Sequence, residues 1–194
     1  RDELEPASVL LERIRTGRLA QQKGKKQKEL PPIVTSTRPE LPEGWEWTYI
    51  MNVFDLINGR AFKPNEWSEA GIPIVRIQNL NNKEAKYNYC AFDVDEKYYI
   101  EDGELLFAWS GTPGSSFGAH IWDGGQAVLN QHIFKIRINE NALSKIFIKY
   151  LLNNKVSEYI SVAHGTAGLA HITKKMFEES IIPIPPIIEQ RQIA

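Results

Sequence analysis

Five short apolar runs, each rich in β-branched or aromatic residues and bounded by Gly, Asn or Asp, occupy the middle of the chain. Runs of this kind, separated by turn-forming residues, are typical of β-strands. The predicted strands are "IPIVRI" (72–77), "KYYI" (97–100), "ELLFAW" (104–109), "AHIW" (119–122) and "AVLNQHIFKIRI" (127–138). An apolar segment at 47–57 precedes them. A chain with so many short strands folds around a β framework.

Two segments with helical spacing follow these strands. In "NALSKIFIKYLLNNKVSEYI" (141–160), helical spacing places five large side chains on one face: Leu143, Ile146, Phe147, Tyr150 and Leu151. In "ITKKMFEE" (172–179), Thr173 is the predicted N-cap. Strands first and helices second predict an α+β fold, with a mixed, mainly antiparallel β framework and a few helices.

A helix also begins the chain, followed by a polar segment. Ala7, Leu10, Leu11 and Ile14 fall at i, i+3, i+4 and i+7, the spacing of an amphipathic helix. Residues 20–44 are polar and rich in Lys, Pro and Gly. They predict a linker that either wraps the surface or stays mobile. We expect the globular domain to start near Leu41.

The chain ends on a predicted strand and the start of a helix. Residues 180–184 read as a strand, which Pro185 and Pro186 interrupt. Pro186 suits the first helical position, and Glu189 then lies near the positive end of the helix dipole. Because the sequence begins with Arg1 and stops soon after this helix start, we expect it to be part of a longer chain.

Composition restricts the class of protein. Cys90 is the single cysteine, which excludes an intramolecular disulfide and fits a reducing cytoplasm. No apolar run approaches the roughly 18 residues of a membrane span. Residues 13–28 carry seven basic and no acidic side chains, whereas residues 41–194 carry 14 Lys and Arg against 18 Asp and Glu. The basic run is either a solvated linker or a phosphate contact, and the rest is not a non-specific polyanion binder.

The sequence lacks the motifs of catalysis and of metal binding. "GTPGSSFG" (111–118) has the glycines of a phosphate loop without its Lys, which favours a tight turn. "DVDEK" (93–97) has the composition of a nuclease site, but a solvated turn explains it as well. "IPIPPI" (182–187) lacks the polar residue by which an amino-methyltransferase grips its substrate, and the four His are scattered. We therefore expect no catalytic residue and no metal site.

Two polar segments stand out on the β framework: "RIQNLNNKEAK" (76–86) and "WSGTPGSSFG" (109–118). In the DNA major groove, Arg pairs with guanine, and Asn or Gln pairs with adenine, through two hydrogen bonds. The alternative is that Asn and Gly fill turns because they tolerate left-handed backbone. Residue chemistry alone leaves both interpretations open.

Five segments in series resemble a known family. They are "LPEGW" (41–45), "NGRAFKPNEWSEAGIPIVRIQNL" (58–80), "DGELLFAWSGTPGS" (102–115), "AVLNQHIFKI" (127–136) and "GTAGLAHITKKMFEESIIPIPPIIEQRQIA" (165–194). In order and spacing they resemble the second target recognition domain of a type I restriction-modification DNA specificity subunit (S subunit). "EPASVLLERIR" (5–15) looks like the tail of that family's conserved spacer helix.

This resemblance implies a single target recognition domain flanked by truncated coiled-coil spacer helices. Residues 1–19 would be the tail of one spacer helix, 20–40 a linker, 41–184 the recognition domain and 185–194 the start of the C-terminal spacer helix. In the family, each recognition domain reads one half of a bipartite site in double-stranded DNA, and the spacer helices fix the gap between the halves.

The resemblance also implies partners and the absence of an enzyme centre in this chain. Two methyltransferase (M) subunits methylate adenine, and a restriction/motor (R) subunit cleaves DNA. We expect no cofactor here, with S-adenosylmethionine, ATP and Mg used by the partner subunits, and a cytoplasmic location. The alternatives are a stand-alone nuclease or methyltransferase and a purely structural interaction module.

The candidate DNA contacts lie in the two polar segments and at nearby basic positions. Predicted base or phosphate contacts are Arg76, Gln78, Asn79, Asn82, Lys83, Ser110, Thr112, Ser115 and Ser116. Predicted phosphate contacts are Arg60, Lys63, Lys174 and Lys175. Trp109 either stacks on a base or supports its loop. Most other positions that match the family pattern are expected in turns or packing: Gly59, Gly71, Pro73, Gly103, Gly111, Asn130, Gln131, Pro185, Pro186, Glu189 and Gln190.

Overall fold

A computed structural model describes residues 5–21, 30–112, 114–162 and 170–194. Four lysines of the basic run (Lys23, Lys25, Lys26 and Lys28), the first four residues of the predicted spacer helix, Pro113 and residues 165–169 of the fifth family segment lie outside this part. Contacts divide the chain into two compact units. Unit 1 is Arg1–Phe54, Ile138–Ile148 and Lys174–Ala194, and unit 2 is Asp55–Arg137 and Lys149–Thr173.

The described residues form seven α-helices, two short 3-10 helices (Pro64–Glu66 and Glu96–Tyr98) and twelve strands. The helices are α1 (Ala7–Gln21), α2 (Ile50–Val53), α3 (Ile77–Asn81), α4 (Lys145–Asn154), α5 (Val156–Val162), α6 (Lys174–Glu178) and α7 (Ile187–Ile193). The strands are β1 (Glu46–Tyr49), β2 (Asp55–Asn58), β3 (Ile72–Val75), β4 (Asn88–Cys90), β5 (Tyr99–Ile100), β6 (Leu105–Ala108), β7 (Ser110–Gly111), β8 (Gly118–Ile121), β9 (Ala127–Leu129), β10 (Ile133–Arg137), β11 (Ala170–His171) and β12 (Ile181–Ile184).

In unit 1, α1 buries the apolar stripe that its sequence predicts. Ala7, Leu10 and Ile14 are buried, and the helix packs against α2. The helix runs to Gln21, into the segment predicted as linker, and residues 30–44 continue without helix or strand. Strand β1 pairs with β12 in antiparallel register. The helix prediction for the start of the chain is therefore confirmed, whereas the domain boundaries stay a prediction.

Helix α7 is anchored in unit 1 by a fully buried amide. Gln190 Oε1 accepts a hydrogen bond from the Ser144 N–H (2.9 Å), and its Nε2 donates to the carbonyls of Ala142 (3.2 Å) and Pro185 (2.9 Å). Pro186 is the N-cap rather than the first helical residue. Except for this shift of one residue, the predicted strand and helix at the end of the chain are confirmed.

Unit 2 is built on two four-stranded sheets. The first has the order β2-β10-β6-β8 and is antiparallel throughout. The second has the order β4-β3-β9-β5, in which β3 and β9 are parallel and the other pairs antiparallel. Strands β7 and β11 form a short antiparallel pair of their own. This confirms the mixed, mainly antiparallel framework.

The chain changes sheets between β9 and β10, so the run predicted as one strand at 127–138 is two. Near this crossing, the backbone just after β2 lies very close to the backbone of Leu129 and Asn130. The Arg60 N–H donates to Leu129 O (2.8 Å), and a Cβ at Gly59 would lie only 2.0 Å from Asn130 O. No side chain fits there, which explains the glycine at this position.

A buried lysine joins the two sheets of unit 2. Lys135, on β10, is 3% exposed, and its Nζ donates to the Tyr99 carbonyl on β5 (2.5 Å) and lies 3.6 Å from Glu104 Oε1. Burial lowers the pKa of Lys135, while Glu104 opposes this change. The burial of Lys135 could not be predicted from its strand, because the residues next to it are apolar and offer a charged group no partner.

Helix α4 buries a different face from the predicted one. Phe147 is buried as expected, but Ile146 and Tyr150 are each 51% exposed, and Ile148 and Leu152 are buried instead. This part of the sequence is apolar on more than one side of the helix, so helical spacing alone does not select the buried face.

Candidate nucleic-acid interface

Within the first polar segment, Ile77–Asn81 form the one-turn helix α3, and a buried amide stabilises the start of this helix. Asn79 is 0% exposed; its Oδ1 accepts from the Arg76 N–H (3.0 Å) and its Nδ2 donates to Ala85 O (3.2 Å). Both the oxygen and the nitrogen of the Asn79 side chain form hydrogen bonds with nearby backbone groups. We therefore assign Asn79 a structural role instead of the predicted base or phosphate contact.

Three other predicted contacts of this segment are exposed. Gln78 lies on the open side of α3. Asn82 ends the helix, and its Oδ1 accepts from the Glu84 N–H (3.0 Å). Lys83 forms an ion pair with Asp123, with both side chains at least half exposed. Since exposed ion pairs contribute at most about 1 kcal/mol, Lys83 can exchange Asp123 for another anion at little cost.

The glycine-rich segment forms the tight turn that its sequence predicts. Thr112 O accepts from the Ser115 N–H (3.2 Å), and Ser116 Oγ accepts from the Thr112 N–H (3.3 Å). Ser116 is buried, and a Cβ at Gly111, whose φ is +146°, would lie 2.6 Å from that Oγ. Ser116 therefore holds the turn, whereas Thr112 and Ser115 are exposed.

Asn81 joins the two polar segments. In the amide orientation that satisfies both groups, its Nδ2 donates to Ser115 O (2.9 Å) and its Oδ1 accepts from the Ser116 N–H (3.1 Å). Asn81 thus brings α3 beside the glycine-rich turn. We call the partly or fully exposed polar residues of these two segments the reading face: Arg76, Gln78, Asn81, Asn82, Lys83, Thr112 and Ser115. Sequence reasoning placed Asn81 in the polar segment but missed its role, which depends on a partner more than 30 residues away.

Trp109 and Ser110 directly precede the glycine-rich turn in the chain and contact other residues of unit 2. Trp109 Nε1 donates to Asn58 Oδ1 (3.2 Å), and its ring lies 5.1 Å from the His132 ring and 5.8 Å from the Phe134 ring. Ser110 is in β7, opposite His171 on β11. These contacts favour the second of the two predicted roles of Trp109, which is support of the loop.

A cleft of about 250 Å³ opens beside α3 within unit 2. Lys83, Asp123, Lys149 and His120 contribute its polar groups. His120 Nε2 lies 3.0 Å from Ser116 O, and burial lowers the pKa of His120, which favours a neutral ring. Two lysines and a neutral hydrogen-bonding ring make this cleft suitable for a polar or anionic group.

Arg60, predicted as a phosphate contact, is engaged inside unit 2. Its guanidinium forms two hydrogen bonds with Glu66 (2.5 and 3.2 Å) and lies 4.7 Å from the Phe62 ring and 5.2 Å from the Phe92 ring. These hydrogen bonds, with one from the Lys63 N–H, lower the pKa of Glu66 to about 2. The contacts favour a structural role for Arg60, while the Lys63 side chain is exposed.

Arg76 has a different environment. Its guanidinium lies over the Trp67 ring, 5.4 Å from the ring centre, and within the described part of the chain no carboxylate pairs with it. Trp67 is not among the predicted contacts, because an isolated aromatic residue gives no signal of its own in a sequence. Lys174 and Lys175 begin α6 in unit 1, where Lys174 lies 3.5 Å from Glu178.

No group of three or more His, Cys, Asp or Glu side chains that could hold a metal occurs among the described residues. In the same part of the chain, no helix is both long and apolar enough to span a bilayer.

An α+β scaffold that presents amide, hydroxyl and basic side chains together on one surface has the features of a nucleic-acid-recognition module. A comparison with known families identifies which one. The family described as "Type I restriction modification DNA specificity domain" matches residues 42–194. The chain therefore belongs to this family, which confirms the resemblance drawn from the five segments.

Curated relatives agree with this assignment. The chain is 29% identical to the type I restriction enzyme EcoAI specificity subunit of Escherichia coli over an alignment of 203 positions, which covers 97% of this chain and 34% of that protein. It is 27% identical over 154 residues to the EcoBI specificity subunit of the same species, covering 78% and 31%. The chain thus spans about a third of the length of these relatives.

Solved structures show the same fold. The HsdS subunit from Thermoanaerobacter tengcongensis aligns over 96% of this chain and 46% of its own, with a TM-score of 0.60 and 20% identity. The type I S subunit from M. genitalium aligns over 80% and 39%, with a TM-score of 0.57 and 17% identity. These likenesses confirm the α+β fold.

Proposed function

We propose that this chain is the part of a type I specificity subunit that reads one half of a bipartite site in double-stranded DNA. Membership of the family supports the proposal. The observation that carries it is the reading face, in which Asn81 holds the polar turn after β3 against the glycine-rich turn. A surface assembled from two turns can present several donors and acceptors at once to the edges of neighbouring base pairs.

Residues of the reading face would divide between bases and phosphates. Arg76 and Gln78 carry side chains suited to paired hydrogen bonds with guanine and adenine, each contributing about 1–3 kcal/mol of discrimination. Lys83 suits a phosphate, because its exposed ion pair with Asp123 is easily exchanged. Thr112 and Ser115 can bond to either group.

The remaining machinery would lie in partner subunits. Residues 41–194 carry four more acidic than basic side chains, so this part alone should bind DNA weakly. We infer that two methyltransferase subunits complete the grip on DNA and methylate adenine, and that a motor subunit cleaves. S-adenosylmethionine, ATP and Mg would serve those subunits, in the cytoplasm, and this chain would be non-catalytic. Residues 1–19 and 185–194 would belong to the spacer helices, with 20–40 as linker.

The test uses the complete specificity subunit that contains this chain, assembled with its methyltransferase partners. Methylation of a random DNA library defines the wild-type half-site. Gln78→Ala should lower methylation of that site at least tenfold or relax the choice of one base, because a bidentate contact is lost. Gln126→Ala, which removes an exposed glutamine of unit 2 outside the reading face, is the matched control. Unchanged rate and unchanged site choice with Gln78→Ala would count against the reading face.

A domain swap separates this proposal from a purely structural role. Exchanging residues 41–184 with the corresponding domain of a relative should change one half of the methylated site and leave the other half unaltered. Retained binding of the methyltransferase subunits with no change in site choice would favour a structural module instead.

A further inference from the structure

Two arginines of unit 2 lie over aromatic rings, and among the described residues only Arg60 also pairs with a carboxylate. Arg60 directs Nη1 and Nη2 to the Glu66 carboxylate while it lies over Phe62 and Phe92. Arg76 lies over Trp67 and has no carboxylate partner within the described residues. Stacking engages the face of a guanidinium and leaves its in-plane N–H groups able to donate.

The backbones on both sides of the Arg76–Trp67 contact are held in place. The Trp67 N–H donates to Pro64 O (3.3 Å), and the next residue, Ser68, exchanges two hydrogen bonds with Tyr89 (3.0 and 3.2 Å). The backbone N–H of Arg76 donates to the buried Asn79 side chain. The contact therefore joins two fixed points, which limits the rotamers that the long Arg76 side chain can adopt.

The Trp67 side chain is 39% exposed, so part of its ring remains open to solvent. Its ring supports a cation at the edge of the reading face, directly before α3. Trp is the aromatic side chain that binds a guanidinium most strongly.

We propose that Trp67 is a positioning residue for DNA recognition, which holds the Arg76 guanidinium so that its in-plane N–H groups meet O6 and N7 of a guanine in the major groove. This inference rests on the proposed function. A pair of acceptors with similar spacing also occurs on a phosphate, so the experiment must distinguish a base from the backbone.

The experiment uses the complete specificity subunit with its methyltransferase partners and measures methylation kcat/KM on the wild-type site. Arg76→Ala should lower this value at least tenfold. Trp67→Ala should lower it about two- to fivefold, the range for loss of an exposed cation–π contact, and Trp67→Phe should lower it less. In the Arg76→Ala background, Trp67→Ala should have no further effect, because the ring then has nothing to position.

Replacing each guanine of the half-site in turn by 7-deazaguanine removes the N7 acceptor and leaves every phosphate unchanged. At one position the wild-type complex should lose activity, whereas the Arg76→Ala complex should lose little more than it already has. The matched control is Phe92→Ala, which removes a 40% exposed ring from beneath Arg60 and should leave site choice unchanged. Equal melting temperatures of the variants exclude loss of folding as the cause.

Three results would overturn the inference. The first is an unchanged kcat/KM with Trp67→Ala, and the second is an additive effect of the two Ala substitutions. The third is that no 7-deazaguanine substitution in the half-site distinguishes wild type from Arg76→Ala. A half-site that contains no G·C pair would overturn the inference in the same way. The proposed function is tested separately by Gln78→Ala and by the domain swap. The proposed function stands if only the Trp67 and Arg76 variants depart from the results expected of them.

Discussion

Gln190→Ala should destabilise unit 1 more than any other alanine substitution in α7, because Gln190 is the buried residue of this helix. The amide of Gln190 is completely buried and makes three hydrogen bonds, to the Ser144 N–H and to the carbonyls of Ala142 and Pro185. Alanine leaves one donor and two acceptors without these partners. The same amide attaches the start of α7 to the turn before α4, so its loss also loosens the end of the chain.

The magnitude follows from those three groups. A buried polar group left without a partner costs about 1–3 kcal/mol. Water entering the vacated space replaces part of the bonding to the carbonyls, each of which has a second lone pair. We therefore expect a loss of about 3 kcal/mol in the free energy of unfolding, which corresponds to roughly a 100-fold change in the unfolding equilibrium constant.

Urea unfolding followed by tryptophan fluorescence measures this loss. Trp45 provides a local signal, because its Nε1 donates to Glu189, the neighbour of Gln190 (2.9 Å). The matched control is Gln192→Ala, which removes an exposed glutamine from the same helix and should cost less than about 0.5 kcal/mol. Gln190→Met keeps most of the volume without the hydrogen bonds and should stay destabilised. Wild-type stability of Gln190→Met would refute the reasoning, because packing rather than hydrogen bonding would then explain the site.

Three further predictions concern unit 2. Gly59→Ala should cost about 3 kcal/mol in urea unfolding, because its Cβ would lie 2.0 Å from a backbone carbonyl, and a cost below about 1 kcal/mol would contradict this close approach. Asn153 forms hydrogen bonds with both the N–H (2.8 Å) and the carbonyl (3.0 Å) of Ala119 on the edge strand β8. Asn153→Ala should therefore cost about 2 kcal/mol in the free energy of unfolding and speed hydrogen exchange of the Ala119 amide. Unchanged exchange would argue against this prediction. Arg60 holds the pKa of Glu66 at about 2, below its ordinary value of 4.5, so this pair stabilises the fold fully above about pH 4.5 and loses its effect as the pH falls towards 2. Glu66→Gln should therefore show a smaller fall in melting temperature than wild type between pH 5 and about pH 2.5.

Much of the local structure follows from the sequence, because it depends on neighbouring residues. The spacing of Ala7, Leu10 and Ile14 defines α1, and short β-branched runs between turn residues define the strands of both sheets. Pro186 marks the start of α7 to within one residue. The order of the five motif segments was enough to indicate the family, which the match over residues 42–194 confirms.

The packing of the elements determines which of the predicted polar residues stay exposed and which are engaged within the fold. Asn79 and Gln78 are adjacent and chemically similar, yet one is buried inside a turn and the other is exposed. Arg60 and Arg76 both stack on aromatic rings, but only Arg60 has a carboxylate partner among the described residues. From the sequence, Asn79 and Gln78 had the same predicted role, and both arginines were expected to contact DNA.

The physical reason is that burial and hydrogen-bond partners arise from contacts between segments far apart in the chain. Asn81 meets the glycine-rich turn only because the strands that carry both segments belong to the same unit. Lys135 is buried because two sheets pack around it, although its own strand gives no indication of a partner. Local sequence patterns predicted most of the strands and helices, the fold class and the family, whereas the packing of those elements determines which polar side chains stay exposed.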